Sequence, residues 1–368
     1  MIGRTMGLYL ATNFLVYTLA IFTLFLCLII GVDIVEFSRR TTSVADIQSS
    51  EILTVVLYRS LSIAENILPF TVMFGACASL IILNRRLELV VARASGVSVW
   101  QFLMPIAVAA GLIGLTASLV YNPLALAAQS ISEAKEAEVF ERSSTGVDSG
   151  SRGNWMRLNQ QNGDVIIRSQ IQQDSGSRLT NVIVYRFDIN GEMVERLDAT
   201  TASFVESSSQ GNHYLLNKVV STKPNSAAVR SDSLVLNVTI SKSQLQSNQT
   251  AAENVSFWQL PQQAERIELA GKNALPFSTR FQSLLAEPLL FVAMVLLAAT
   301  VSLRFARFGI NAKAILAGVL AGFVLYVVSK LMVTFGSNGL VPPVMAAWSA
   351  AVVASLIGIT VLLHQEDG

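Results

Sequence analysis

Long apolar runs occupy both ends of the chain, and a polar block separates them. Six runs reach the roughly 20 residues needed to cross a bilayer as helix: Leu8–Val32, Leu61–Leu83, Trp100–Tyr121, Phe281–Leu303, Ala312–Phe335 and Val344–Leu363. Three precede residues 122–280 and three follow. Pro69 and Pro288 fall inside spans, where neighbouring helices can satisfy the backbone groups a proline frees. In the polar block the period shortens to that of strands. Gln161-Asn162-Gly163-Asp164 separates Trp155–Asn159 from Val165–Ser169, and Ile189-Asn190-Gly191 separates Leu179–Phe187 from Met193–Ala202. Asn-Gly between β-prone runs signals hairpins. His213–Val220 and Ser233–Ile240 add strands, and the spacing suggests a sandwich or jelly roll. Ala125–Arg142 and Leu260–Lys272 read as helical connectors. The predicted fold is a membrane α-helical protein with six transmembrane helices (3+3) and an inserted all-β, jelly-roll-like domain. Its boundaries are 1–121, 122–280 and 281–368.

Composition agrees. Hydrophobic residues make up 52% of the chain and charged residues 14%, against about 25% charged in soluble domains. The net charge of +1 argues against a nucleic-acid face, which needs clustered Lys and Arg. Cys27 and Cys77 lie in apolar runs and read as packing residues without a disulfide or metal role. The first run lacks a cleavage site and reads as a retained span. Arg4, Arg85, Arg86, Arg93, Arg304, Arg307 and Lys313 border one side of the spans, so the positive-inside rule places both termini in the cytoplasm and the β domain in the periplasm. Arg39, Arg40 and Arg59 on the other side reduce this bias.

Catalytic chemistry is missing from the pattern. His213 and His364 have no metal-ligand spacing, and neither a Gly-x-Ser-x-Gly elbow nor a Walker A loop is present. The glycosylation-type triplets at Asn237, Asn248 and Asn254 are expected by chance in so Ser/Thr-rich a stretch. Charges at the membrane border say more, since a charge in hydrocarbon costs several kcal/mol and faces a partner or polar ligand. Asp33 and Glu36 end span one, Arg59 and Glu65 enter span two, Glu287 begins span four and Lys330 ends span five. One reading is mutual pairing, for instance Lys330 with Glu287. The other is a ring around an anionic lipid head group, with Arg39, Arg40, Arg59 and Lys330 donating to phosphate and the acids orienting them.

Asn84–Gly96, between spans two and three, is short, basic and amphipathic. On a helix Leu87, Val90, Val91 and Ala94 share one stripe, while Arg85, Arg86, Glu88 and Arg93 project elsewhere. Such a helix can lie on its own protein or lipid, or enter a groove on a soluble motor as a coupling helix. The residues alone leave both open.

Arg86-Leu87-Glu88-Leu89-Val90-Val91-Ala92-Arg93-Ala94-Ser95-Gly96 resembles the loop signature of the lipopolysaccharide export permeases, the LptF/LptG family. The likeness extends over the span layout, Gly153-Asn154-Trp155, and Gly339-Leu340-Val341-Pro342-Pro343 followed by Ala346-Ala347-Trp348. These last features look more like the G subunit. The resemblance implies a non-catalytic permease subunit of an inner-membrane ABC transporter in a Gram-negative cell. It would extract lipopolysaccharide and pass it to a periplasmic β bridge toward the outer membrane. Implied partners are an F-type permease subunit, a cytoplasmic ATPase dimer and a single-span periplasmic adaptor. No cofactor is expected on this chain; ATP and Mg would sit on the ATPase. Arg85, Arg86, Leu87, Glu88, Leu89, Val90, Val91, Arg93, Ala94, Ser95 and Gly96 would contact the ATPase, with Glu88 and its neighbours in its groove. Members of the family carry lysines near the end of span one for lipid A phosphates, whereas this chain has Asp33 and Glu36 there and basic residues only at Arg39 and Arg40. A membrane-anchored sensor or scaffold with a ligand-binding β domain is the alternative; a secondary transporter would place its ionisable residues nearer the midplane.

Overall fold

The computed structural model describes residues 4–42, 48–143, 154–160, 163–173, 178–188, 192–205, 212–223, 228–237, 252–269, 273–308 and 312–367. The chain divides into two compact units, a helical one from residues 1–143 and 252–368 and a β one from 144–251. The β unit is therefore narrower than the expected 122–280, because both predicted connectors belong with the helices.

In the helical unit α1 is Arg4–Thr41, α2 Ser49–Ala64, α3 Leu68–Arg85, α4 Glu88–Ala94, α5 Val99–Thr116 and α6 Asn122–Ser143. After the β unit come α7 Leu260–Leu269, α8 Leu275–Phe308, α9 Ala312–Ser337 and α10 Pro343–Asp367. Among the described residues six helical stretches are long and apolar enough to cross a membrane, as expected, but several run further. At 1.5 Å per residue, α1 spans about 57 Å against a hydrocarbon core of about 30 Å. Its last turn carries Arg39 and Arg40, which complement the negative end of the helix dipole. Span two is α2 and α3 joined by a 3-10 turn at Glu65–Ile67, with Pro69 in the first turn of α3, where its missing N–H is harmless. Span three continues from α5 through a π turn, Ala117–Tyr121, into α6. The predicted connector Ala125–Arg142 is thus the extension of a membrane helix.

The core gathers on α3, α5 and α8, where Leu80, Leu83, Phe102, Ile106, Phe291 and Met294 are fully enclosed. Two spans stay outside it. Only 6% of the apolar window of α1 and 17% of that of α9 are buried, against 39–50% in the other four. Both helices touch α3 through aromatic contacts, Phe25 with Phe74 and Phe70 with Phe323.

The β unit contains β1 Asn154–Gln160, β2 Gly163–Gln173, β3 Arg178–Phe187, β4 Met193–Val205, β5 His213–Thr222 and β6 Val229–Asn237. All six expected strands are present, with residues 238–240 of the last outside the described residues. They form one antiparallel meander in sequence order. The crossed, two-sheet layout of a jelly roll has no counterpart among these six strands, since every neighbour is consecutive. The two Asn-Gly turns lie partly outside the described residues. Gln160 pairs with Gly163, which places Gly163 in the strand.

One row bends the sheet. Asn181 and Lys218 have φ of 50° and 51°, and the register aligns them with Thr200 between them. Buried positions step by two on either side of this row and by three across it: Leu179 then Val182, Ala199 then Ala202, Leu216 then Val219. Backbone turned to positive φ resets the side-chain phase, so both halves of β3, β4 and β5 feed one apolar cluster around Tyr214.

Candidate functional site

Asn84–Gly96 connects α3 to α5 at one end of the helical bundle. The chain leaves α3 through a turn in which Leu87 adopts φ 61°, a conformation unusual for a branched side chain and costing about 1–3 kcal/mol. Arg86 N–H donates to Ile82 O and Leu87 N–H to Asn84 O across the turn. α4 ends at Gly96, whose φ of 86° suits glycine. Gly96 N–H donates to Arg93 O and Val97 N–H to Ala92 O, which is the Schellman closure. Ser98 then caps α5 by accepting from Gln101 N–H. The Ala-Ser-Gly ending of the loop is thus a helix stop.

The two faces of α4 are reversed from simple inward packing. Leu89 and Ala92 are buried in the main core, 2% and 6% exposed. The stripe of Leu87, Val90 and Val91 is 61%, 43% and 66% exposed, and Ala94 is exposed with it. Glu88 is half-buried, accepts a hydrogen bond from Tyr9 Oη at 3.3 Å and lies 4.0 Å from Arg86 Nη1.

At the other end of the helical bundle, the charges expected to form one ring fall into two clusters. In the first, Glu36 on α1 binds Arg39 at 3.1 Å and Arg40 at 2.8 Å. Arg59 on α2 sits between Asp33 at 3.6 Å and Glu136 of α6 at 4.0 Å. In the second, Glu65 of the 3-10 turn accepts from Arg280 Nη2 and Asn122 Nδ2, each at 3.0 Å. The same Asn122 takes Phe257 N–H on its other end. Lys330 donates to Asn66 Oδ1 at 3.5 Å and lies 5.5 Å from the Tyr326 ring centre, so it belongs with this cluster and not with Asp33 and Glu36. Ser118 Oγ lies 2.7 Å from both Glu287 Oε2 and Leu284 O. Glu65, Asn66, Arg280, Glu287, Tyr326 and Lys330 line one small pocket. Groups of three or more His, Cys, Asp or Glu able to hold a metal do not occur among the described residues.

Residues 8–364 match the family described as lipopolysaccharide export system permease LptF/LptG. The chain belongs to that family. Comparison with individual curated proteins gave no match. The LptF/LptG match covers nearly every described element, and it makes this multi-pass membrane protein a component of lipopolysaccharide export.

For this LptF/LptG permease the sequence reading missed Arg280, Asn66, Asn122 and Glu136. Arg280 precedes the apolar run that marks span four, in Phe277-Ser278-Thr279-Arg280, and so read as a flank. Its signal was present: a cation directly before the Phe281–Leu303 run and two helical turns from Glu287. The expected ion pair of Lys330 with Glu287 is replaced by the Asn66 contact. Side chains of Arg304, Arg307 and Lys313 lie outside the described residues.

Proposed function

We propose that this chain is a non-catalytic permease subunit of an ABC-type extractor of lipopolysaccharide, with both termini cytoplasmic and the β unit periplasmic. The outward-facing stripe on α4 carries the reading. A hydrophobic face on a seven-residue helix, held in place by a strained turn and a glycine stop, is what an ATPase groove needs to grip. ATP and Mg sit on that partner, a dimer shared with an F-type permease. The Gly153-Asn154-Trp155 and Pro342-Pro343 features favour the G-type role for this chain. Low burial of α1 and α9 supports a cavity between them, floored by α3, which the F-type subunit completes. A single-span adaptor packs beside it, and the β unit continues the path of the lipid. Arg39, Arg40, Arg59 and Lys330 bind the head-group phosphates, each already oriented by Asp33, Glu36, Glu136 or Asn66.

The test is co-purification with the ATPase. Val91→Asp should abolish ATPase capture with little loss of permease stability, because an exposed substitution stays within about 0.5 kcal/mol. Glu88→Ala should keep binding but uncouple ATP hydrolysis from lipid release. A Val91→Asp permease that still retains its ATPase would overturn the docking role.

A further inference from the structure

Where α5 crosses α8, both helices depart from regular hydrogen bonding at the same level. α5 widens into the π turn Ala117–Tyr121, and α8 contains Pro288. Proline has no N–H, so the carbonyl four residues earlier, Leu284 O, loses its helical donor. Ser118 replaces that donor from across the interface, with Oγ 2.7 Å from Leu284 O. The backbones meet here as well: a Cβ on Gly114 would stand 2.5 Å from Pro288 Cα. π turns and prolines are two of the identified causes of helix bending.

The hydrogens at this joint do not balance with an ionised Glu287. Ser118 has one hydroxyl proton and three close oxygens: Leu284 O at 2.7 Å, Glu287 Oε2 at 2.7 Å and Gly114 O at 3.1 Å. Both 2.7 Å separations are hydrogen-bond lengths for O–H donors. With a carboxylate at 287, one of them would set two lone pairs against each other without a proton between them. A carboxylic acid at 287 donates to Ser118 Oγ and frees the hydroxyl proton for Leu284 O, so both contacts are satisfied.

We propose that Glu287 carries a proton in this conformation and forms a relay, Glu287 to Ser118 to Leu284, that latches the α5–α8 joint. Loss of the proton turns the Ser118 hydroxyl to the carboxylate and leaves Leu284 O without its donor, which loosens the joint. The groups facing Glu287 determine its partner once it ionises. Arg280 on α8 is engaged by Glu65 at 3.0 Å. Asn66 of the 3-10 turn is neutral, as is the Tyr326 phenol on α9 at ordinary pH. α5 and its π turn offer only Ser118. Arg280 keeps its Nε buried without a partner and Lys330 on α9 lines the same pocket, so these two are the cations that meet an ionised Glu287. The joint then has two arrangements, and a proton selects between them.

Infrared spectroscopy of the full chain in lipid nanodiscs tests this with no partner or lipopolysaccharide present, so its outcome is independent of the export reading. At neutral pH the wild type should show a protonated-carboxyl C=O band that disappears in Glu287→Gln, and the band should convert to a carboxylate signal on alkaline titration. Ser118→Ala should shift that band by removing its acceptor, and it supplies the readout if Glu287→Gln fails to fold. Wild-type and Glu287→Gln spectra that coincide in the carboxylic-acid region from mildly acidic to mildly alkaline pH would overturn the proposal. So would a band insensitive to Ser118→Ala.

Discussion

Gly114→Ala measures how tightly α5 and α8 are joined, and Gly111→Ala supplies its control. The two glycines lie one turn apart on α5 and both face α8. A methyl group at 111 would sit 3.6 Å from Val292 Cγ2, an ordinary contact with the tip of a side chain. At 114 it would meet backbone only: Pro288 Cα at 2.5 Å, Pro288 N at 2.9 Å and Glu287 C at 3.2 Å. Backbone cannot rotate away, so the helices must part by about an ångström. Overpacking of this kind costs about 1–3 kcal/mol, and the rigidity of the obstacle favours the upper end. Replacing glycine in a helix returns about 1 kcal/mol at both sites. Gly114→Ala should therefore lose about 2 kcal/mol net, while Gly111→Ala should gain about 1 kcal/mol. At roughly 2–4 °C per kcal/mol for a large domain, the two proteins should melt about 6–12 °C apart by circular dichroism in detergent. A Gly114→Ala protein melting at or above Gly111→Ala would refute the close backbone approach.

Arg280→Ala leaves Glu65 half-buried without its cation and should cost about 3 kcal/mol, the low end for one removed partner because the pocket admits water. The Glu65→Gln, Arg280→Ala double variant should recover part of it in the same melt, and equal losses would remove the coupling. Lys330→Glu should lower photo-crosslinking of lipopolysaccharide to the purified complex about tenfold or more, the value of one charge-assisted bond to phosphate. Lys330→Arg should not, and an unchanged yield in Lys330→Glu would make the lysine purely structural. In the β unit, burial pushes the Tyr214 phenol above its ordinary 10.0. The folded form then holds its proton longer than the unfolded chain, so this contribution is complete below pH 10 and declines as pH rises further. Alkaline unfolding followed by circular dichroism should shift to higher pH in Tyr214→Phe, and coincident curves would deny the effect.

Periodicity located each span and each strand found among the described residues, because burial in lipid or in a sheet imposes long apolar runs or alternation on the sequence. What lies across a face is a different question. The stripe Leu87, Val90, Val91 and Ala94 was visible at helical spacing, yet spacing does not say which medium a stripe meets. The αL turn at Leu87 rotates α4 so that Leu89 and Ala92 enter the core and the stripe points out. That rotation is set by one backbone dihedral which a leucine does not advertise. The bend in the sheet escaped for the same reason, since Asn181 and Lys218 are ordinary polar residues within β3 and β5 until the register aligns them. Span ends were underestimated wherever a polar side chain found a partner on another helix. Glu65 lies just inside the start of the second apolar run, and Arg280, 215 residues away, pairs with it where the helical stretch continues back into α2. Composition treats each charge by itself, whereas the bundle treats it with its partner. The same logic makes the joint at Pro288 legible only in three dimensions. A proline that frees a carbonyl, a serine on another helix that reaches it and a glutamate that must supply the missing proton are three unremarkable letters until α5 and α8 cross.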